Sequence, residues 1–173
     1  AFREAKEACI SGKLVIEEFM EGPELSLDAL VYNDTIHITG VADRIIERSP
    51  YFVEVGHTLP SNLPENQVKE TMDVFKQAIR ALGINTGAAK GDIKFTSEGP
   101  KIVEIAARLS GGWMSAYTYP LSSGVNLYKA AIQVALGEEP DGLKPKTSLV
   151  AAERSLIPAP GKILSIRGVE EAR

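Results

Sequence analysis

The sequence predicts an α+β fold, an antiparallel sheet backed by helices. Three observations lead to it. Apolar-alternating runs recur at 25–32, 35–48, 91–96 and 100–106, and neighbouring runs are joined by short turn signals. Between them, Val68, Met72, Phe75, Ile79 and Leu82 repeat at spacings of three and four, which is one apolar stripe on a helix. Finally, Ser97-Glu98-Gly99-Pro100 separates two alternating runs in the manner of a β-hairpin.

In chain order, residues 1–10 read as the last turns of a helix, with Gly12 as its stop. Leu14-Val15-Ile16-Glu17-Glu18-Phe19-Met20 reads as a strand that Glu21-Gly22-Pro23 breaks. Residues 25–32 form the next strand, and Asn33-Asp34 turns it into a third over 35–48. Ser49-Pro50 opens a short extended piece over 51–55. Residues 56–64, with two prolines, read as a long loop of the kind that carries function. The striped helix covers 65–82 and Gly83 caps it. After the hairpin come a Gly-, Ser- and Tyr-rich loop over 110–123 and a helix over 125–136, closed by Gly137. Two further strands, 148–156 and 162–166, belong to a C-terminal element. Cys9 reads as a buried helix residue. Both ends of the chain look like interrupted helices, so it reads as a piece of a longer protein.

The whole-chain properties exclude several classes. A net charge of −4 with no basic stripe argues against duplex nucleic acid as a partner. No apolar run approaches a membrane span, and no signal-peptide pattern is present. One cysteine permits no disulfide framework within the chain, which fits a cytoplasmic setting.

The hairpin is the most informative segment. With residues 97–99 as its loop, Asp92 lies opposite Glu104, and Lys94 and Thr96 share their face. Ile93, Phe95 and Val103 then cover the other face. Like charges directly opposed across a sheet are destabilising unless something positive sits between them. A hard divalent cation is the natural candidate. Arg108 follows Glu104 by four residues, and Ser110-Gly111-Gly112 makes a flexible exit. Two carboxylates, a guanidinium and a Gly-rich turn suit a nucleotide's Mg²⁺ and phosphates. A solvated acidic hairpin with a surface arginine is the plainer alternative.

The order of these segments resembles the ATP-grasp superfamily over roughly residues 1–140. The matching parts are a hinge run, Gly22-Pro23-Glu24, a loop with Gly56-His57, a helix, and then Asp92, Glu104 and Arg108. The resemblance implies an ATP-grasp large lobe. Residues 1–12 would end the lid subdomain, 13–140 would form the C-terminal lobe, and 141–173 would begin a truncated C-terminal domain. It implies backbone contacts to adenine from Glu18 and Met20, with Glu17 near the exocyclic amine and Phe19 walling the base. Glu24 would accept from the ribose hydroxyls, and Arg44 would face phosphate. Asp92 and Glu104 would hold Mg²⁺, or Mn²⁺ in its place, and Arg108 would face the transferred phosphoryl group. His57, Ser110, Gly111 and Gly112 would contact substrate. Ala106 departs from the pattern, because relatives commonly place an Asn ligand there.

By the same resemblance, the intact enzyme would use ATP to activate a small-molecule carboxylate as an acyl phosphate. An amine would then displace phosphate, forming a C–N bond and leaving ADP. A bicarbonate-activating carboxylase or carbamoyl-phosphate type of ligase is the alternative within the fold. A non-catalytic nucleotide-binding domain is the alternative outside it. Relatives are often homodimers, and the piece by itself would have little or no activity.

Overall fold

The computed structural model describes residues 1–171. Six antiparallel-paired strands form one sheet in the order β5-β4-β1-β2-β3-β6. In sequence these are β1 (Glu24–Tyr32), β2 (Thr35–Glu47), β3 (Val53–Leu59), β4 (Gly87–Thr96), β5 (Gly99–Ala106) and β6 (Ala151–Arg154). Helix α1 (Phe2–Ala8) precedes them and α2 (Glu65–Ala81) lies between β3 and β4. A π-helical turn (Met114–Thr118), α3 (Tyr119–Ser123) and α4 (Leu127–Ala135) follow β5. The expected α+β fold class, an antiparallel sheet backed by helices, is the observed one.

Strand β1 is central, and its alternation sorts the two sides of the sheet. Leu25, Leu27, Ala29 and Val31 join Phe75 and Ile79 of α2 in one core. Leu30 joins Met114, Tyr119, Val125, Leu127 and Ala130 in a second core on the opposite side. Ser26 and Asp28 therefore point, like Leu30, toward the π-helical turn rather than toward α2. Both are fully buried.

Four of the five residues in the α2 stripe are core, Phe75 and Ile79 buried with Val68 and Met72 packed against them, whereas Leu82, just past the helix end, is exposed. Phe75 packs so closely on β4 that a Cβ at Gly91 would come 2.6 Å from its ring. A side chain at position 91 would displace the helix from the sheet. Phe75→Ala is expected to lower stability by about 3–5 kcal/mol through lost burial and the cavity left behind. Thermal denaturation measures this, and a loss below about 1 kcal/mol would remove Phe75 from the core.

Several expected elements differ. Residues 14–20 form no strand: Val15, Ile16 and Phe19 are exposed, and no other described strand pairs with that run. An apolar run without a hydrogen-bonding neighbour does not make a sheet. Gly56 and His57, expected in a loop, lie inside β3 and pair with Arg154 and Glu153 of β6. Gly56 has φ +151°, and a Cβ there would meet the Glu153 carbonyl at 2.1 Å, so glycine reads as a loop signal where it actually permits close strand approach. The expected loop 110–123 contains the π-helical turn and α3, anchored by buried Met114 and Tyr119. The strand expected at 162–166 is absent. Cys9 is partly exposed just beyond α1, its thiol donating to the Lys13 carbonyl at 3.1 Å.

Candidate functional site

The hairpin register has a bulge. Thr96 pairs with Gly99, leaving Ser97-Glu98 as a two-residue turn rather than the expected three. Ile93 then pairs with Ile102, but Asp92 pairs with Glu104, so Val103 is the extra residue on β5. The bulge restores the expected Asp92–Glu104 opposition. It also turns Val103 to the outer side with Lys94, not to the core side with Ile93 and Phe95.

Asp92 and Glu104 open on a cleft of about 540 Å³ that also takes in Ser26, Arg44, Glu54, His57, Lys90, Arg108 and Ser110-Gly111-Gly112. Asp92 is 4% exposed and fully engaged. Ser26 Oγ donates to its Oδ1 at 3.1 Å, Lys90 Nζ bonds Oδ2, and Arg44 Nη1 lies 3.3 Å from Oδ2. Glu104 and Arg108 are exposed, and Arg108 Nη1 donates to the Leu109 carbonyl at 3.1 Å.

Arg44 is the hub of the floor. Its Nε donates to Glu54 Oε2 at 2.7 Å, and its Nη1 bonds Glu24 Oε1 as well as facing Asp92. Burial opposes the guanidinium charge, and the bond from Glu54 with the charges of Asp92 and Glu24 outweighs it, holding its pKa above the ordinary value. Arg44, expected to face phosphate, lines the cleft and has three carboxylate neighbours there.

A second cleft of about 310 Å³ takes in Glu24, which bonds Arg44 of the first. Glu17, Glu18, Phe19 and Met20 line it, with Phe52, Lys94 and Val103. Lys94 Nζ donates to the Met20 carbonyl at 3.0 Å, lies 3.7 Å from Glu24 Oε2, and sits 5.2 Å from the Phe19 ring centre. Phe19 and Phe52 pack at 5.6 Å. The segment that failed to form a strand is thus held by a lysine and an aromatic pair. Every residue expected to meet adenine and ribose borders this space.

The Ser110 turn is held by Asp28, which sequence reasoning missed. Asp28 Oδ1 accepts from Ser110 N–H at 3.0 Å and from Ser110 Oγ at 2.7 Å, and Oδ2 accepts from Ser115 Oγ. Burial pushes the Asp28 carboxyl pKa up, against those bonds and the charge of Lys90. Tyr119 OH accepts from the Asp28 backbone N–H at 3.1 Å and donates to the Gly40 carbonyl at 3.1 Å. Lys90 was also missed, although its place two residues before Asp92 on a strand was a usable signal. Glu54 and Glu153 had none, because their roles depend on long-range pairing.

The two acids fit a magnesium ion as a partial ligand set. Mg²⁺ takes one or two carboxylates and draws its other ligands from phosphate and water. Among the described residues, no group of three or more His, Cys, Asp or Glu side chains is arranged to hold a metal alone. Ala106 supplies no donor and sits opposite Lys90.

The family profile described as "ATP-grasp domain" matches residues 2–117. The chain belongs to that family. It is 28% identical over 163 residues to the uncharacterized protein y4rH of Sinorhizobium fredii, covering 94% of this chain and 33% of that protein. It is 28% identical over 127 residues to human carnosine synthase 1, covering 73% of this chain and 15% of that enzyme. The crystal structure of L-amino acid ligase from Bacillus licheniformis superposes with a TM-score of 0.78 at 25% identity, over 89% of this chain and 40% of that one. The chain therefore spans well under half the length of these relatives.

Proposed function

We propose that the whole protein is an ATP-dependent ligase that joins a small carboxylate to an amine. The observation that carries this reading is the Asp92–Glu104 pair set across one cleft from Arg108 and the Ser110-Gly111-Gly112 turn. Similarity to an L-amino acid ligase and to carnosine synthase supports the same chemistry.

The cleft of Phe19, Met20 and Phe52 would offer apolar walls to adenine, and Glu24, which also lines it, would accept from the ribose diol. Asp92 and Glu104 would hold Mg²⁺, which supplies charge neutralisation on the nucleotide phosphates. Lys90 and Arg44 hold the Asp92 carboxylate in place. Arg108, exposed at the cleft rim, meets the oxygens of the transferred phosphoryl group with a permanent forked cation. The substrate carboxylate oxygen attacks the γ-phosphorus as the bond to ADP breaks. The amine nitrogen then attacks the acyl carbon, phosphate leaves with the bonding pair, and the nitrogen loses a proton. The protein contributes position and electrostatics, with no covalent nucleophile of its own.

The test is release of ADP by the full-length protein with Mg-ATP against a panel of amino acids and other small carboxylates paired with amines. ADP and phosphate formed only when both a carboxylate and an amine are present are the expected result. Turnover with bicarbonate alone, or no turnover with any pair, would overturn it.

A further inference from the structure

Strand β6 brings a carboxylate against His57 at the edge of the site. Glu153 Oε1 lies 2.6 Å from His57 Nδ1, and Glu153 Oε2 accepts from Thr118 Oγ1 at 2.9 Å. Each oxygen thus has a separate fixed partner on a separate element, β3 and the π-helical turn. Its neighbour Arg154 secures the strand, donating from Nη1 to the His57 carbonyl at 2.7 Å and from Nη2 to Thr58 Oγ1 at 2.8 Å. His57 is 3% exposed, so its ring has little room to rotate. A carboxylate only accepts, and the short contact therefore places a proton on Nδ1. Nε2 lies 3.8 Å from Glu54 Oε2, beyond hydrogen-bond reach, on a ring that lines the main cleft. At Gly112 the glutamates converge: a Cβ there would lie 3.3 Å from Glu153 Oε1 and 3.4 Å from Glu54 Oε1.

We propose that Glu153 is a positioning residue that holds His57 with Nδ1–H toward itself and Nε2 free toward the substrate. Through Thr118 it also sets the gap between the imidazole and the Gly111-Gly112 turn. A carboxylate behind an imidazole fixes both tautomer and ring angle, as it does for histidines that bind metals. The consequence for turnover rests on the ligase reading above. The consequence for the ring does not.

The experiment is ¹⁵N NMR of histidine-labelled full-length protein, with His57 assigned by His57→Gln, in the wild type and Glu153→Gln. The wild type is expected to carry a proton on Nδ1. Glutamine can donate as well as accept, so the variant is expected to move population toward the Nε2–H form. In the ligase assay, kcat/KM for the carboxylate or amine substrate falls about 10–100-fold, the usual cost of losing a partner behind an active-site histidine, while KM for ATP stays unchanged. A bare Nδ1 in the wild type overturns the proposal without any variant. So does an unchanged tautomer in Glu153→Gln, or a loss that raises KM for ATP equally and tracks a lowered melting temperature. If no substrate pair is turned over, the ligase reading falls and the ring measurement still decides the role of Glu153.

Discussion

Glu104→Gln is expected to abolish Mg²⁺-dependent nucleotide binding with little loss of stability. Glu104 is exposed and forms none of the ion pairs found among the described residues, so its amide leaves no buried group stranded. What it removes is one of two charged oxygen donors facing each other across β4 and β5. Losing an outer partner of a metal ligand already costs roughly 10–100-fold, and losing a ligand is expected to exceed that. Asp92→Asn tests the other half and should behave differently. Asp92 is buried among Lys90, Arg44 and Ser26, so the amide also leaves two cations undercompensated. It is expected to lower stability as well as binding. Calorimetric titration of Mg-ADP into the full-length protein, beside the thermal melt of each variant, separates the two effects. Undiminished affinity in Glu104→Gln would reduce the acid pair to a surface hairpin and remove the basis of the ligase reading.

The second large effect belongs to Asp28. Asp28→Ala takes the acceptor from Ser110 N–H, Ser110 Oγ and Ser115 Oγ in a fully buried place. Ser115 keeps its bond to the Ser110 carbonyl at 3.1 Å, whereas the two Ser110 donors lose theirs. At about 1–3 kcal/mol for each stranded buried donor, the loss is expected to be about 2–6 kcal/mol. The Ser110-Gly111-Gly112 turn should loosen with it. Asp28→Asn makes a sharper test through pH. Burial raises the carboxyl above the ordinary aspartate value of 3.8, so the folded protein keeps this proton to a higher pH than the unfolded chain does. Stability from this group therefore falls as pH rises from that value through the folded pKa, the reverse of a salt-bridged aspartate. Asparagine does not titrate. The stability of Asp28→Asn relative to wild type must improve with rising pH across that window. Denaturant melts at a series of pH values measure the slope, and a slope of the opposite sign refutes the account.

What could be read in the sequence was what local periodicity encodes. The α2 stripe, β1, β2 and the hairpin all showed it, because apolar residues recur along each at the period of its element. The Asp92–Glu104 opposition was readable for a less direct reason. The turn is one residue shorter than expected, and the Val103 bulge makes up the difference. Residues 14–20 misled because a strand-like apolar run needs a neighbour, which local sequence cannot supply. Gly56 misled because a glycine at a close strand crossing looks like a glycine in a loop. Among site residues, those within the hairpin and its exit were legible. Asp28, Glu54 and Glu153 were not. Asp28 meets Ser110 and Glu153 meets His57 across 82 and 96 residues of chain, and only the folded sheet brings them together.

The strand order has a consequence for how such a site can change over time. Glu104 stands on one edge strand of the sheet and Glu153 on the other, with the four remaining strands between them. At about 4.8 Å per strand, the two ends of the working surface are roughly 24 Å apart. Their shared floor of Ser26, Arg44 and Asp92 lies on the inner strands. An edge strand is hydrogen-bonded to a neighbour on one side only, an inner strand on both. Substitutions along the β3–β6 border would therefore reach His57 and Glu153, and those along β5 would reach Glu104, without touching the strands of the shared floor. On that view, the breadth of the sheet keeps the two borders of the site far enough apart to vary independently.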